Sequence, residues 1–390
     1  EIRGRHQHIR MHNDTWGIYG PSNGFDAGDD PQHLSPVGNI LINMILPLVS
    51  MLTFLIAGFL VTRSLLGEGS IWTNVGFGYG MISGVLSVVV YLILLVFPAL
   101  PLGPLLFTFI GLMALLGLLA WRLKGKPGGE LRVGQQRGPL SIWVLGILIL
   151  GILYSFLAVG AGYHTTDAIV LWGAKGKGVV HEGLPGVPGW GTNSTNYPLH
   201  ITLLIAVFEA AFSGSLPASK LLFPLYYLCL LLVMFEFLSR KMKEDHAGLV
   251  TLAFGLSPIL VRHARIGYAN LALSYYVLCG VLLLYRTVGA NEQSESFKYR
   301  LLSSAFFLFA VWTRPEGILL IAGILGAFVL EPYLSSQRSP PSMTTLVCFL
   351  PAVLFWGFWK LTSTPFQVQG GTGLMVQEFL GAEGREASAG

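Results

Sequence analysis

Long apolar runs, separated by short polar intervals, occupy most of the chain between residues 37 and 361. A helix needs about 20 mostly apolar residues to cross a bilayer. By this rule the runs predict an all-α, polytopic integral membrane protein with about ten transmembrane helices. The predicted spans are 37–62, 75–100, 104–121, 140–160, 220–238, 246–261, 269–285, 301–312, 317–330 and 344–359.

One apolar run differs from the others in its length. It extends from His200 to Phe212, is too short to cross comfortably, and carries Glu209. We therefore predict a short helix lying at the membrane interface, inside one large extracytoplasmic loop. The predicted organisation is a polar N-terminal tail, N-terminal transmembrane helices, the loop, C-terminal transmembrane helices and a polar C-terminal tail, over residues 1–36, 37–160, 161–218, 219–361 and 362–390.

Composition supports the membrane class. Hydrophobic residues make up 53% of the chain and charged residues only 11%, against about 25% charged in soluble domains. This excludes a nucleic-acid binder, a disordered chain, a disulfide-stapled secreted domain and a soluble α/β enzyme. Each of Cys229, Cys279 and Cys348 lies inside an apolar run, which indicates packing rather than a disulfide or a metal site.

Positive charges in short loops predict the orientation, because such loops tend to stay cytoplasmic. This rule places Ala161–Ser219, Arg262–Tyr268 and the break Thr313–Glu316 on the extracytoplasmic side. The three cytoplasmic clusters are Arg122, Lys124, Lys126, Arg132 and Arg137; Arg240, Lys241 and Lys243; and Arg286, Lys298 and Arg300.

Asp167 opens the extracytoplasmic loop, a few residues after a span, where a carboxylate is close to both water and the bilayer. It is either a functional acid or the N-cap of a short helix beginning at Ala168. Lys175 follows in a glycine-rich segment that does not match the spacing of a phosphate-binding P-loop. Lys175 is either an anion ligand or an ordinary interfacial charge.

A second polar patch, VRHARIGYAN, places Arg262, His263 and Arg265 between two predicted spans on the side that usually avoids positive charge. Two arginines suit a phosphate group. The alternatives are contact with lipid headgroups or an ion pair with an acidic neighbour such as Glu316. Tyr268 is expected as an interface aromatic residue in either case.

A third patch, Trp312–Gly317, interrupts a long apolar stretch and contains Arg314 and Glu316. Ionisable groups at membrane depth usually face a cavity or the bundle interior, which favours a functional site. The alternative is a purely structural ion pair between these two residues. The histidine spacing predicts no metal site, and a divalent cation at the lone Asp167 has no support from neighbouring ligands.

The order of these patches on one side of the membrane resembles the GT-C superfamily of polytopic glycosyltransferases, particularly bacterial proteins similar to protein O-mannosyltransferases and aminoarabinose transferases. The resemblance covers roughly residues 160–330 and rests on four short motifs. They are Asp167 in TTDAIVLWGAKGKG, Tyr197-Pro198-Leu199-His200, HARIGYANLAL and WTRPEG. The chain departs from the family at Ala168 and Asn270, where acidic residues are common.

The resemblance implies transfer of a sugar from a polyprenyl-phosphate donor to a hydroxyl or amine of a lipid, glycan or protein, in a plasma (inner) membrane. Asp167 would be the general base, and Arg262, Arg265 and Lys175 would bind the donor phosphate. The residues that would shape the pocket or meet the acceptor are Tyr197, His200, His263, Tyr268, Asn270, Arg314 and Glu316. A transporter or flippase, or a noncatalytic membrane subunit, remains the alternative.

Overall fold

Helix is almost the only regular structure in the part of the chain that the structure, a computed structural model, describes, and no strand occurs there. That part comprises residues 36–66, 70–98, 100–123, 141–161, 172–173, 175–184, 197–212, 219–288, 293–334 and 346–369. Internal contacts divide the chain into two compact units, Glu1–Ile42 and Asn43–Gly390. The description below concerns the second unit.

The helices follow the apolar runs of the sequence closely. In chain order they are α1 (Pro36–Leu66), α2 (Ile71–Val96), α3 (Leu102–Leu123), α4 (Ile142–Ala161), α5 (Lys175–Glu182), α6 (His200–Ala211), α7 (Leu222–Leu238), α8 (Glu244–Gly255), α9 (Pro258–Ile266), α10 (Ala269–Val288), α11 (Gln293–Thr313), α12 (Glu316–Leu334) and α13 (Leu350–Gln369).

Five of these helices are long and apolar enough to cross a membrane: α1 from Pro47, α2, α3, α4 and α10. The helices α8 and α9, bent by 60° at a short break, add a sixth span if the pair counts as one. The chain therefore has the helices of a multi-pass membrane protein. The larger number of about ten spans is not confirmed, because α7 and the apolar part of α12 are short and α11 begins with polar residues.

Helix α6 lies in surroundings that the sequence did not predict. An interfacial helix would turn one face to lipid or water, yet every side chain from His200 to Phe208 is buried by protein. Phe208 contacts Phe54 of α1, with ring centroids 6.0 Å apart, and α6 also packs against α2, α3 and α5. Glu209, on which the prediction of an interfacial helix partly rested, is itself buried.

The helices α1 and α2 cross at two glycines. A Cβ atom on Gly78 would lie 2.4 Å from the backbone carbonyl carbon and oxygen of Gly58, and a Cβ atom on Gly58 would meet the backbone of Gly78 at 2.6 Å. Small residues at such crossings let two membrane helices approach each other closely. This contact leaves room for no side chain at either position.

Aromatic side chains fill the centre of the bundle. Four tyrosines, Tyr79 on α2, Tyr226 on α7, and Tyr275 and Tyr276 on α10, are completely buried and contact one another edge to face. Buried hydroxyls require hydrogen bonds, and Tyr79 donates one to the carbonyl oxygen of Leu222 at 2.9 Å. The cysteines are buried and unbridged, as their apolar surroundings indicated.

Two of the basic clusters lie at the same end of the bundle. Lys241, just after α7, donates a hydrogen bond to the hydroxyl of Tyr285 near the end of α10. The beginning of α4, which follows the first cluster, lies there too, because Trp143 donates an indole hydrogen bond to Asp245 at 2.9 Å. The break between α11 and α12 lies at the other end, since Arg314 contacts Asn270 at the start of α10.

Candidate functional site

Arg314 lies in the turn between α11 and α12 and is the centre of the candidate site. Its Nε and Nη2 atoms donate to the two carboxylate oxygens of Glu316 at 3.0 and 2.8 Å. Its Nη1 atom donates to the side-chain oxygen of Asn270. The Arg314 side chain is only 14% exposed, whereas that of Glu316 is 47% exposed. The ion pair that the sequence offered as a structural alternative is thus present.

The guanidinium of Arg314 also lies against the ring of Tyr197, 5.4 Å from the ring centroid, which is a cation–π distance. Tyr197 in turn contacts Trp172, with ring centroids 5.7 Å apart. Tyr197 precedes α6 and Trp172 precedes α5. The structure therefore brings Tyr197 and Asn270 to the guanidinium of Arg314, although Tyr197 is 117 residues and Asn270 44 residues before Arg314 in the chain.

Arg262, His263 and Arg265 lie on a helix rather than in the predicted interhelical connection. Pro258 begins α9, and Gly267, with a left-handed backbone (φ 81°), ends it. Both arginines are exposed and, three positions apart, they are neighbours on the helix surface. The predicted single span 246–261 is correspondingly broken before Pro258.

His263 connects α9 with the Arg314 turn electrostatically. Its imidazole is within electrostatic range of both Arg262 and Arg314. The imidazole also packs against the ring of Tyr268, with centroids 5.4 Å apart. Like charges gathered in this way are costly unless an anion compensates them. We read the grouping as an anion-binding surface.

Lys220, at the beginning of α7, is a further cation that the sequence analysis missed. Its ammonium donates to the carbonyl oxygen of Ala158 at 3.0 Å and is within electrostatic range of Arg265. The signal was available, because a lysine at the extracytoplasmic end of a predicted span departs from the usual charge distribution. Lys220 is also the first residue of the predicted span 220–238, where a charged residue is ordinary.

Two further buried ionisable groups, Lys175 and Glu209, lie on the neighbouring helices α5 and α6. Lys175 is fully buried, and burial lowers its pKa to about 7. Burial also raises the pKa of Glu209 to about 7, an effect that the ammonium of Lys177, 3.9 Å away, partly opposes. The predicted role of Lys175 in phosphate binding requires α5 to move, because an external anion does not reach an enclosed ammonium.

We expect Glu209→Gln to stabilise the protein at pH 8 and to leave its stability nearly unchanged at pH 4.5. The folded protein holds a proton on Glu209 up to about pH 7, whereas an unfolded chain releases it near pH 4.5. Stability contributed by that bound proton is therefore lost as the pH rises through this window. Thermal unfolding in detergent at both pH values checks this. An equal shift at both pH values would contradict it.

His200, which was predicted to shape the pocket or meet the acceptor, takes part in a hydrogen-bond network in the bundle interior. Its Nδ1 atom lies 2.6 Å from the Ser87 hydroxyl, and its Nε2 atom lies 2.9 Å from Tyr226 and 3.1 Å from Tyr276. Trp312 donates its indole hydrogen to the same Ser87 hydroxyl at 3.1 Å. Trp312 is two residues before Arg314. The network therefore also holds the end of α11 that leads into the candidate site.

Asp167, the predicted general base, lies outside the described residues, so its position relative to Arg314 is not part of the site geometry. In the described part of the chain, no group of three or more histidine, cysteine, aspartate or glutamate side chains could hold a metal ion. The site as described consists of cations, one exposed carboxylate, an amide and two aromatic rings. Such a set binds anions by charge and hydrogen bonds.

The chain matches no family model, no curated protein and no solved structure.

Proposed function

We propose that this chain is a membrane glycosyltransferase that moves a sugar from a polyprenyl-phosphate donor to a hydroxyl or amine acceptor on the extracytoplasmic face. The grouping of cations around the Arg314 turn carries the proposal. His263 on α9 is within electrostatic range of Arg314 and of its own neighbour Arg262, and this turn lies at the end of the bundle opposite Lys241. Short basic loops are usually cytoplasmic, which supports an extracytoplasmic site.

The proposed topology has ten membrane-spanning segments. In this topology each of the ten predicted spans is assigned to a helix of the described residues, and α8 and α9 are counted together as one bent span. Residues 161–218 then lie on the extracytoplasmic side together with the Arg314 turn. Their α6 portion enters the bundle, where a short helix is acceptable because protein surrounds it.

The chemistry of a phosphate leaving group matches this arrangement. The acceptor oxygen or nitrogen attacks the anomeric carbon of the sugar, the bond from that carbon to the phosphate oxygen breaks, and the acceptor proton passes to Asp167. A glycosidase needs a second carboxyl group to protonate an alkoxide. A polyprenyl phosphate leaves as a stable anion and needs only cations to receive the charge.

The residues have distinct roles in this proposal. Arg262 and Arg265, exposed on α9, receive the phosphate, and Lys220 increases the local positive charge. Arg314 holds the phosphate at the centre of the site, with Tyr197 and Asn270 orienting its guanidinium. An aromatic ring beside the guanidinium also restricts access of water, which strengthens charge interactions.

We expect membranes that contain the wild-type chain to transfer label from one member of a panel of radiolabelled polyprenyl-phosphate sugars, with total lipid and protein as acceptors. Asp167→Asn should lower this transfer by at least about 100-fold, because loss of a general base costs about 10²- to 10⁴-fold. Asp245→Asn, at the opposite end of the bundle, is the matched control and should retain transfer.

All three proteins must be present at equal levels for the comparison. No transfer by any of them across the panel, with donor binding also absent, would contradict the proposal. A transporter, a flippase or a noncatalytic subunit would then become the better account of the same helices.

A further inference from the structure

The partners of Arg314 differ in how firmly the fold holds them. Asn270 is anchored at the start of α10, and Tyr197 is held by its contact with Trp172. Glu316, in contrast, is the first residue of α12, and nearly half of its side chain is exposed. An ion pair with one exposed partner contributes little to stability. Glu316 is therefore the partner that can leave.

The Glu316 carboxylate binds Arg314 with both oxygens. One oxygen accepts from Nε at 3.0 Å and the other from Nη2 at 2.8 Å. This two-pronged geometry is the one in which a guanidinium binds two oxygens of a phosphate group. A carboxylate and a phosphate therefore cannot take this edge of Arg314 at the same time.

We propose that Glu316 is a resident carboxylate that a ligand phosphate replaces on Arg314, so that the site binds phosphate by exchange. The inference rests on the proposed function and names the group with which the polyprenyl phosphate competes. In the unliganded protein Glu316 neutralises Arg314. When the phosphate arrives, the carboxylate turns to solvent at the N-terminus of α12, where the helix dipole still favours a negative charge.

Exchange has a consequence for turnover. After transfer, the polyprenyl phosphate carries one more negative charge than the donor did and would be held tightly by several cations. A carboxylate two residues from Arg314 competes for the same guanidinium edge at a high effective concentration. Glu316 thus promotes release of the phosphate product.

The test measures binding of farnesyl phosphate, a short prenyl phosphate, to the purified full chain in detergent. We expect Glu316→Gln to bind farnesyl phosphate about two- to fivefold more tightly than wild type, since an exposed ion pair is of that strength. Arg314→Gln should weaken binding. In the Arg314→Gln background the additional Glu316→Gln change should have no effect, because the competition runs through Arg314.

The double-variant comparison separates exchange from general repulsion. A similar gain in both backgrounds would mean that Glu316 only repels anions at a distance, and it would overturn the inference. Unchanged or weaker binding by both Glu316→Gln and Glu316→Ala would overturn it as well. Glu316→Ala is a second variant in case the glutamine re-forms a hydrogen bond with Arg314, and a gain with it supports exchange equally.

Two controls complete the design. Glu236→Gln removes the comparable pair with Arg240 near the other end of the bundle and should not change binding. Farnesol, which has no phosphate, should not compete with farnesyl phosphate. Inorganic phosphate should give the same order of affinities among the variants if the headgroup alone is recognised. If the wild type binds farnesyl phosphate and transfers sugar but the Glu316 variants show no gain in binding, only the exchange is overturned. If the wild type shows neither binding nor transfer, the proposed function is overturned too.

Discussion

Gly78→Leu is expected to leave no stably folded protein. Any side chain at this position would begin 2.4 Å from backbone atoms of Gly58, and a helix backbone cannot rotate away as a side chain can. The helices α1 and α2 would have to separate, which would open the contact between Phe54 and Tyr79 behind them. Such overpacking against backbone belongs with the exceptional losses of more than about 4 kcal/mol.

Gly111→Leu on α3 is the matched control, because no atom lies within 4 Å of a Cβ atom at that position. Removing a glycine from a helix interior should stabilise it slightly. The measurement is thermal unfolding in detergent with a fluorogenic maleimide, which reports exposure of the buried thiols Cys229 and Cys279. Similar unfolding curves for the two leucine variants would show that the glycine contact is not required.

His200→Leu is expected to lower the free energy of unfolding by about 2–4 kcal/mol, because a buried polar group without its partner costs about 1–3 kcal/mol. Leucine gives nothing to the Ser87 hydroxyl or to the hydroxyls of Tyr226 and Tyr276, which now share the imidazole. The two tyrosines keep their contacts with Ser83. Ser87 keeps its hydrogen bonds with the Gly84 carbonyl oxygen and the Trp312 indole.

The same thermal assay tests this expectation. His246→Leu, at an exposed position on α8, should have almost no effect. His200→Gln should recover part of the loss, because an amide can still bond to one hydroxyl. Equal stability of His200→Leu and wild type would mean that the network rearranges without cost.

Several features of this structure can be predicted from the sequence alone, because each is caused by residues that are close together in the chain. Apolar runs produce the helices, and Pro258 and Gly267 mark the two ends of α9. The lysine and arginine clusters predicted that the loops after α7 and α10 lie on the same side, which agrees with the contact between Lys241 and Tyr285. The pairing of Arg314 with Glu316 spans only two residues, so it too could be anticipated.

Other features depend on packing between distant segments, which no local pattern encodes. Glu209 and the short length of α6 predicted a helix at the membrane interface, but a carboxyl group can be buried when it shifts its ionisation. Histidine after Tyr197-Pro198-Leu199 looked like part of an external motif, yet its partners come from α2, α7 and α10. The proximity of Lys220 to Arg265 arises only when α7 and α9 are placed together.

The enclosure of α6 sets an order for biogenesis. Its neighbours α1 to α3 are made before it, but its contacts with Tyr226 and Tyr276, and through Ser87 with Trp312, need α7, α10 and α11. Trp312 is about 100 residues beyond the end of α6, which corresponds to about 5–20 s of synthesis. During that interval the 12 residues of α6 lack their contacts with the later helices. Nascent chains halted before α11 should therefore be cleaved by proteases at residues 200–211.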